Sequence, residues 1–242
     1  MIRDPTRRCA KASRPPGIAR PLAAGLCLAV GTYALLVRPR LLRWGATDAE
    51  VHRPYPGAEL IPGGTRAATM AVTIVAPPAR VWPWLVQMGY GRAGWYSWDH
   101  LDNWGQASAD RLHPEWQTLA VGDRLPAMPG AKAWWEVAAL EQEQFLGLRA
   151  SYALPRFHPF DPREARPRFY TDSLWGFLLE ERPGGRTRLV VGGYWALRPR
   201  WLQPISSVIF YEAEHWIMQT RQFARLKRLA EREATPSVPG AS

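Results

Sequence analysis

The chain is short of cysteine and histidine, and both shortages exclude chemistry. Its two cysteines, Cys9 and Cys27, fall in the first 30 of 242 residues, so the remainder holds no thiol nucleophile, disulfide or cysteine-based metal site. The five histidines, His52, His100, His113, His158 and His215, match no metal-ligand spacing, and no metal is expected. No G-x-S-x-G elbow, Walker loop or H-E-x-x-H is present. The stretch "GYGRAG", residues 89–94, follows a helical pattern instead of a strand and has the wrong spacing for a dinucleotide loop, so no cofactor is expected.

Acidic residues are also scarce: 21 Asp and Glu stand against 31 Lys and Arg, a net charge of +10. The excess is local. Residues 1–20 carry a net +5, and Arg38, Arg40 and Arg43 add +3, bracketing the uncharged 17-residue run "PLAAGLCLAVGTYALLV" at 21–37. Such bracketing suits a membrane boundary better than a nucleic-acid groove. No RNA- or DNA-binding motif appears, and no nucleic-acid partner is expected. As a helix the run would be roughly 25 Å long. That is slightly under the ~30 Å hydrocarbon core, and Arg20 and Arg38 can snorkel to make up the difference. A cleavable signal would need small residues next, where "VRPRLLRW" stands, and Leu26 is bulky for a lipoprotein site at Cys27. An uncleaved single-pass anchor in the plasma membrane is expected, the alternative being an apolar helix docked on the folded domain. Six basic residues precede the run and three follow it, a bias toward an exported domain.

The organisation that follows is a basic tail at 1–20, a transmembrane helix at 21–37, a turn-rich linker at 38–66, a folded domain at 67–233 and a loose tail at 234–242. Met70, Val72 and Ile74 alternate with Ala71, Thr73 and Val75, the period of a strand. Pro77 and Pro78 can open a short helix through Met88, with Pro83 near its start and Gly89 as its cap. "KAWWEVAAL" and "EQFLGLRA" read as two strands. Residues 169–197 read as a hairpin reversing at "ERPGG", with Gly192 and Gly193 marking a bulge or a close backbone approach. A helix at 204–233 places Ile205, Val208, Ile209, Trp216, Phe223, Leu226 and Ala230 on an apolar stripe. Arg221, Arg225, Lys227, Arg228 and Arg232 fall on a wet face. Strands followed by one long amphipathic helix make an α+β fold in which the stripe lies on a sheet.

Four segments carry a resemblance: "WGATDAE" at 44–50, "TIVAPPARVWPWLVQMGYGRAGWYSWDHLDN" at 73–103, "HPEWQTLAVGDRLP" at 113–126, and "EAEHWIM" with "LKRLAE" near the end. Over residues 44–233 the chain resembles the bacterial branch of the SRPBCC superfamily, helix-grip proteins akin to START domains, Bet v 1 and polyketide cyclases. The resemblance implies a curved antiparallel sheet wrapped around the C-terminal helix, with a hydrophobic cavity between them. It implies no particular reaction.

Candidate chemistry centres on residues 82–103. Asp99 and His100, with Asp102 nearby, would make an acid–base site if a turn brought them together. Glu212 and His215, one helical turn apart, would form a polar anchor or base if their face looks into the cavity, and a surface ion pair otherwise. Arg92 would hold a ligand carboxylate, stack on Trp95, or pair with Asp99 or Asp102. Trp84, Met88, Trp95, Tyr96 and Trp98, with Trp175 and Tyr194 of the hairpin and Trp216 of the helix, are expected to line a pocket or fill a core. Thirteen tryptophans suit a lipophilic ligand or a membrane interface. The expected function is a membrane-anchored binding module for a hydrophobic small molecule: a lipid, an isoprenoid or a polyketide-like compound. The alternative is a cyclase, dehydratase or hydrolase using Asp99, His100 and His215, with Arg92 as anion anchor.

Overall fold

The period-two runs become strands of a single antiparallel sheet. The computed structural model describes residues 25, 28–206 and 212–232, and the chain divides into two units, 1–39 and 40–242. In the first unit Tyr33–Val37 form a π-helical turn, and Leu28, Val30, Leu35 and Leu36 are exposed. Among the described residues no helix is long and apolar enough to cross a membrane. Part of the expected span (residues 21–24, 26 and 27) and the tails at 1–20 and 234–242 lie outside the described residues.

In the second unit the strands are β1 (Thr65–Arg66), β2 (Met70–Ile74), β3 (Arg124–Pro126), β4 (Trp134–Glu141), β5 (Phe145–Ala153), β6 (His158–Pro159), β7 (Tyr170–Arg182) and β8 (Arg186–Arg198). They pair in the order β1-β8-β7-β5-β4-β3, with β2 also on β8 and β6 on β5. The β7–β8 hairpin keeps one register from Tyr170↔Arg198 to Arg182↔Arg186, so Gly192 and Gly193 form no bulge. They mark close approaches instead. Gly193 has φ 153°, and a Cβ there would collide with the carbonyl of Leu174. Gly192 faces Gly176 across the ladder, and the Tyr55 ring lies against both glycines. Its hydroxyl sits 2.7 Å from the Gly176 carbonyl oxygen and 3.0 Å from that of Val190.

Alternation gives the sheet two apolar faces. On one, Met70, Ile74, Leu148, Phe177, Leu189 and Val191 share a core with two helices. The other carries Ala71, Phe145 and Val190 under Tyr55, and Tyr170, Leu174 and Ala196 under Ile61. The stretch expected as a connector is therefore itself folded where it packs on the sheet. Its helix α1 (Asp48–His52) opens with a capping box between Thr47 and Glu50.

Helix α2 (Pro78–Val86) begins at its proline and tolerates Pro83 in its interior, which forfeits the one bond an N–H there would make to the Ala79 carbonyl. It ends at Gln87, two residues before the glycine expected to cap it. Val81, Trp84 and Leu85 of α2 join Phe223, Leu226, Leu229 and Ala230 of the C-terminal helix, Glu212–Arg232, in the core. That helix was expected over 204–233. A separate turn, Gln203–Ser206, precedes it, and residues 207–211, with Val208 and Ile209 of the expected stripe, lie outside the described residues. Of the expected wet face, Arg221, Arg228 and Arg232 are exposed. Lys227 donates to the Thr73 carbonyl at 2.8 Å, and Arg225 turns inward to Asp99. The helical wheel misplaces Arg225 because its partner comes from a loop 126 residues away.

Glu50 is the most buried carboxylate tied to this frame apart from Asp172. Arg188 grips it with Nε and Nη2, each at 2.8 Å, and Nη2 also donates to the Gly45 carbonyl at 2.6 Å. The Arg188 hydrogen bonds pull the Glu50 carboxyl down to about 2 despite the opposing effect of burial. Its contribution to stability is therefore complete above the ordinary value of 4.5 and is lost as pH falls toward 2. Glu50→Gln is expected to cost on the order of 3 kcal/mol at pH 7 and to flatten the acid limb of stability in that window, read by urea denaturation as a function of pH.

Candidate functional site

His215, Gln219, Gln222 and Leu226 recur at helical spacing, so they share one face of the C-terminal helix. Leu226 is fully buried in the core. Ahead of it the stripe turns from hydrocarbon to amide and imidazole, and there a cavity of about 630 Å³ opens between helix and sheet. Trp135, Thr171, Ser173, Trp175 and Trp195 line it from the strands, His215, Met218, Gln219 and Gln222 from the helix, and Trp95, Ser97, Leu101, Asp102 and Trp104 from one loop. The volume falls within the usual range for small-molecule sites.

That loop is held at several points. Gly89 and Gly94 exchange backbone hydrogen bonds at 3.1 and 3.0 Å. Gly94 has φ 74°, and a Cβ there would lie 2.6 Å from Ser108 Oγ and 2.8 Å from Asn103 Nδ2, so glycine is required. Between them Arg92 donates from Nη2 to the carbonyls of Val86 and Trp116, both at 2.9 Å, bonding one of the last carbonyls of α2. Tyr96 and Trp104 adopt left-handed backbone angles, φ 60° and 54°, which cost about 1 kcal/mol each and persist only where packing enforces them. Between them lies the one-turn helix α3 (Asp99–Asp102).

The two carboxylates of α3 have opposite fates. Asp99 Oδ1 accepts from the Ser108 hydroxyl at 2.5 Å and amide at 3.1 Å, and Arg225 Nη1 reaches both Asp99 oxygens at 3.1 and 2.9 Å. Burial alone would raise the Asp99 carboxyl, but the bonds from Ser108 and Arg225 together hold it below the ordinary range. Asp102 lines the cavity with both oxygens shielded from solvent and no hydrogen bond to a described residue. Ser97 lies near enough to favour its ionised form slightly, without reaching hydrogen-bond geometry. Burial, with the Asp99 charge second, pushes Asp102 up to about 6. Across the cavity, burial pushes the His215 imidazole down to about 4, and its Nε2 is out of solvent although the residue as a whole is only half-buried.

A line of amides joins the three walls. Trp175 Nε1 donates to Gln219 Oε1 at 3.3 Å, Gln219 Nε2 to Gln222 Oε1 at 2.7 Å, and Gln222 Nε2 to the Trp95 carbonyl at 2.8 Å. Both glutamines are almost fully buried.

Of the residues expected at a site, Trp95, Asp102, Trp175 and His215 come together on this cavity, whereas Tyr194 borders it from its strand and packs its ring with Tyr55 on the opposite face of the sheet. Trp84, Met88 and Tyr96 are instead sealed in the core, and Trp216 packs half-buried against it. Arg92 spends its guanidinium on carbonyls and faces neither Asp99 nor Asp102. Asp99 is committed to Arg225, which separates it from His100 and His215. His100 is exposed on α3, because adjacent helical residues diverge. Trp98 is 45% exposed beneath the Arg221 guanidinium, 4.9 Å from its ring centroid. The Glu212 side chain lies outside what the structure describes. Ser97, Trp135, Trp195, Gln219 and Gln222 were not anticipated. Two glutamines on an otherwise apolar stripe were the available signal for the last pair.

A second hollow of about 190 Å³ lies on the opposite face, among Arg124, Glu136, Arg149 and Tyr152. Its charged groups have partners: Arg149 grips Asp172 at 2.9 and 2.7 Å, Arg163 lies 3.6 Å from Glu136, and Arg124 lies over the Trp134 ring. Among the described residues no three His, Cys, Asp or Glu side chains gather as metal ligands.

No family model and no curated protein matches the chain. Solved structures do. Protein MLL2253 from Mesorhizobium loti is similar at 21% identity over 68% of this chain and 97% of its own, with a TM-score of 0.34. DynU16, from the dynemicin biosynthetic locus, is similar at 18% identity over 66% of this chain and 46% of its own, with a TM-score of 0.39. The Polyketide_cyc-like protein Cgl2372 from Corynebacterium glutamicum is similar at 13% identity over 75% of this chain and all of its own, with a TM-score of 0.33.

The contrast within α3 has a measurable consequence. Asp99→Asn removes the negative neighbour that disfavours ionisation of Asp102, so the Asp102 titration is expected to move below about 6, read by carboxyl-carbon NMR.

Proposed function

We propose that this protein is a binding module for a hydrophobic small molecule, held in a helix-grip cavity between the C-terminal helix and the sheet. The observation that carries the reading is the cavity of about 630 Å³, walled by tryptophans and closed at its inner end by the buried amides of Gln219 and Gln222. Indole rings offer wide apolar surface, and a few fixed polar groups among them orient a ligand. The sequence resemblance to SRPBCC proteins points the same way. The basic-flanked apolar run at 21–37 and the exposed leucines at 28, 35 and 36 support a membrane tether for the module.

Native mass spectrometry of the purified full chain is expected to detect a bound apolar molecule. Ser173→Phe, which adds volume into the cavity, is expected to abolish that binding and any ligand-induced thermal shift while leaving the circular dichroism unchanged. An empty wild-type protein with no shift across a lipophilic panel would overturn the reading.

An acid–base reading of the same cavity has one specific support: Asp102 and His215 both line it. A carboxyl titrating near 6 can donate or accept a proton near neutral pH, and a desolvated imidazole stays neutral there. This reading predicts that the molecule recovered from His215→Ala differs from that recovered from the wild type in mass or, for an isomerising cyclisation, in chromatographic retention and fragmentation, as substrate differs from product. Identical molecules would leave the protein a carrier.

A further inference from the structure

Resting on the cavity reading above, we propose that the ligand carries a positive charge: an apolar molecule bearing an amine or quaternary ammonium group, held between tryptophan faces and the Asp102 carboxylate. The charge distribution is the first ground. The chain has 31 Lys and Arg residues and a net charge of +10, yet among the described residues lining the cavity there is no lysine or arginine, while Asp102 and Glu214 both line it. Arg92, the residue best placed in the sequence to receive an anion, is bound to backbone carbonyls. A carboxylate or phosphate entering this cavity would meet two acidic groups and no counter-charge, and its desolvation would go uncompensated.

The second ground is how the indoles are turned. Trp175 has Trp95 at 5.8 Å and Trp135 at 5.5 Å between ring centroids, at interplanar angles of 36° and 55°. The N–H edges, which repel a cation, are occupied: Trp175 Nε1 donates to Gln219 and Trp195 Nε1 to Thr171 Oγ1 at 2.9 Å. At these two indoles the N–H edge is not available to a ligand and ring face is, and the faces carry the negative lobes of the quadrupole.

Third, the Asp102 oxygens are shielded from water and make no hydrogen bond to a described residue. A neutral ligand would leave that carboxylate as it is, whereas a cation in the cavity would stabilise its ionised form through space. The charged groups around it oppose one another. Asp99 from its own helix disfavours ionisation and is itself neutralised by Arg225 of the C-terminal helix, which acts the other way. His215 and Glu214 of the same helix complete the set, and His215 is uncharged at neutral pH.

The test uses four decyl probes of equal chain length below their micelle concentrations, titrated into the full chain by isothermal calorimetry at pH 7.5: decyltrimethylammonium, decanol, decanoate and decylphosphocholine. Decyltrimethylammonium is expected to bind ~10-fold or more tighter than decanol, and decanoate more weakly than either. Its affinity is expected to fall as pH is lowered through about 6, where Asp102 takes up a proton. Asp102→Asn should remove the ammonium's advantage and leave decanol binding in place. Trp104→Leu, on the exposed rim, should weaken the ammonium selectively and serves if the first variant fails to fold. Decylphosphocholine binding as tightly as the ammonium would support the proposal with a lipid headgroup as the source, and much weaker binding would support it with a phosphate-free amine. If decanol and decanoate match decyltrimethylammonium, charge selection is overturned and the apolar cavity stands. If no probe binds, the cavity reading fails and this proposal falls with it.

Discussion

The helix Glu212–Arg232 buries hydrocarbon fully in its second half, where Phe223, Leu226, Leu229 and Ala230 are buried with β2 and α2. One and two turns earlier the same stripe presents Gln222, Gln219 and His215, which cannot close against tryptophan without polar partners. The helix is thus anchored at one end and held off the sheet at the other. The gap between is the cavity, and the amide line from Trp175 through Gln219 and Gln222 to the Trp95 carbonyl sets where packing stops. Replacing those amides by leucine would remove this polar connection between helix, strand and loop.

The loop that roofs the gap depends on the same helix. Arg225 binds Asp99 and, through Nη2, the Ser108 carbonyl at 3.2 Å, while Ser108 itself bonds Asp99. Gly94 leaves the space that Ser108 and Asn103 need to approach. This fixes α3 in rotation, and rotation decides which carboxylate faces the cavity. Asp102, three residues on, lies on nearly the same side of the turn, so the clamp on Asp99 also sets where Asp102 sits. The left-handed angles at Tyr96 and Trp104 are the local cost of bending a chain around that clamp.

Much of this frame can be read from the sequence, because two apolar runs flank a reversal that carries proline and two glycines, and these become the 13-residue strands of the β7–β8 hairpin. The C-terminal helix is legible from the period of its apolar stripe. The site is less so. Nothing local distinguishes Asp99 from Asp102, since the deciding partner is 126 residues away. Arg92 reads as an anion anchor from its glycine-flanked position, but the unsatisfied carbonyls at the end of α2 lie closer to it than any ligand would. Trp84 and Trp95 look alike in sequence. One is sealed on the buried side of α2 and the other lines the cavity because the chain reverses at Gly89–Gly94 between them.

Asp102 is where the site departs from ordinary packing. A carboxylate removed from water normally recruits an arginine or several N–H donors, and Asp99, Glu50 and Asp172 in this same chain do so. Asp102 recruits none among the described residues, and its only response to burial is a raised titration. Stability would favour an asparagine or an apolar residue at this position. An uncompensated group held by a clamp built from well-compensated ones is the arrangement expected where the missing partner arrives with a ligand. The same clamp keeps the Arg225 guanidinium occupied with Asp99 and the Ser108 carbonyl, so it makes no ion pair with Asp102.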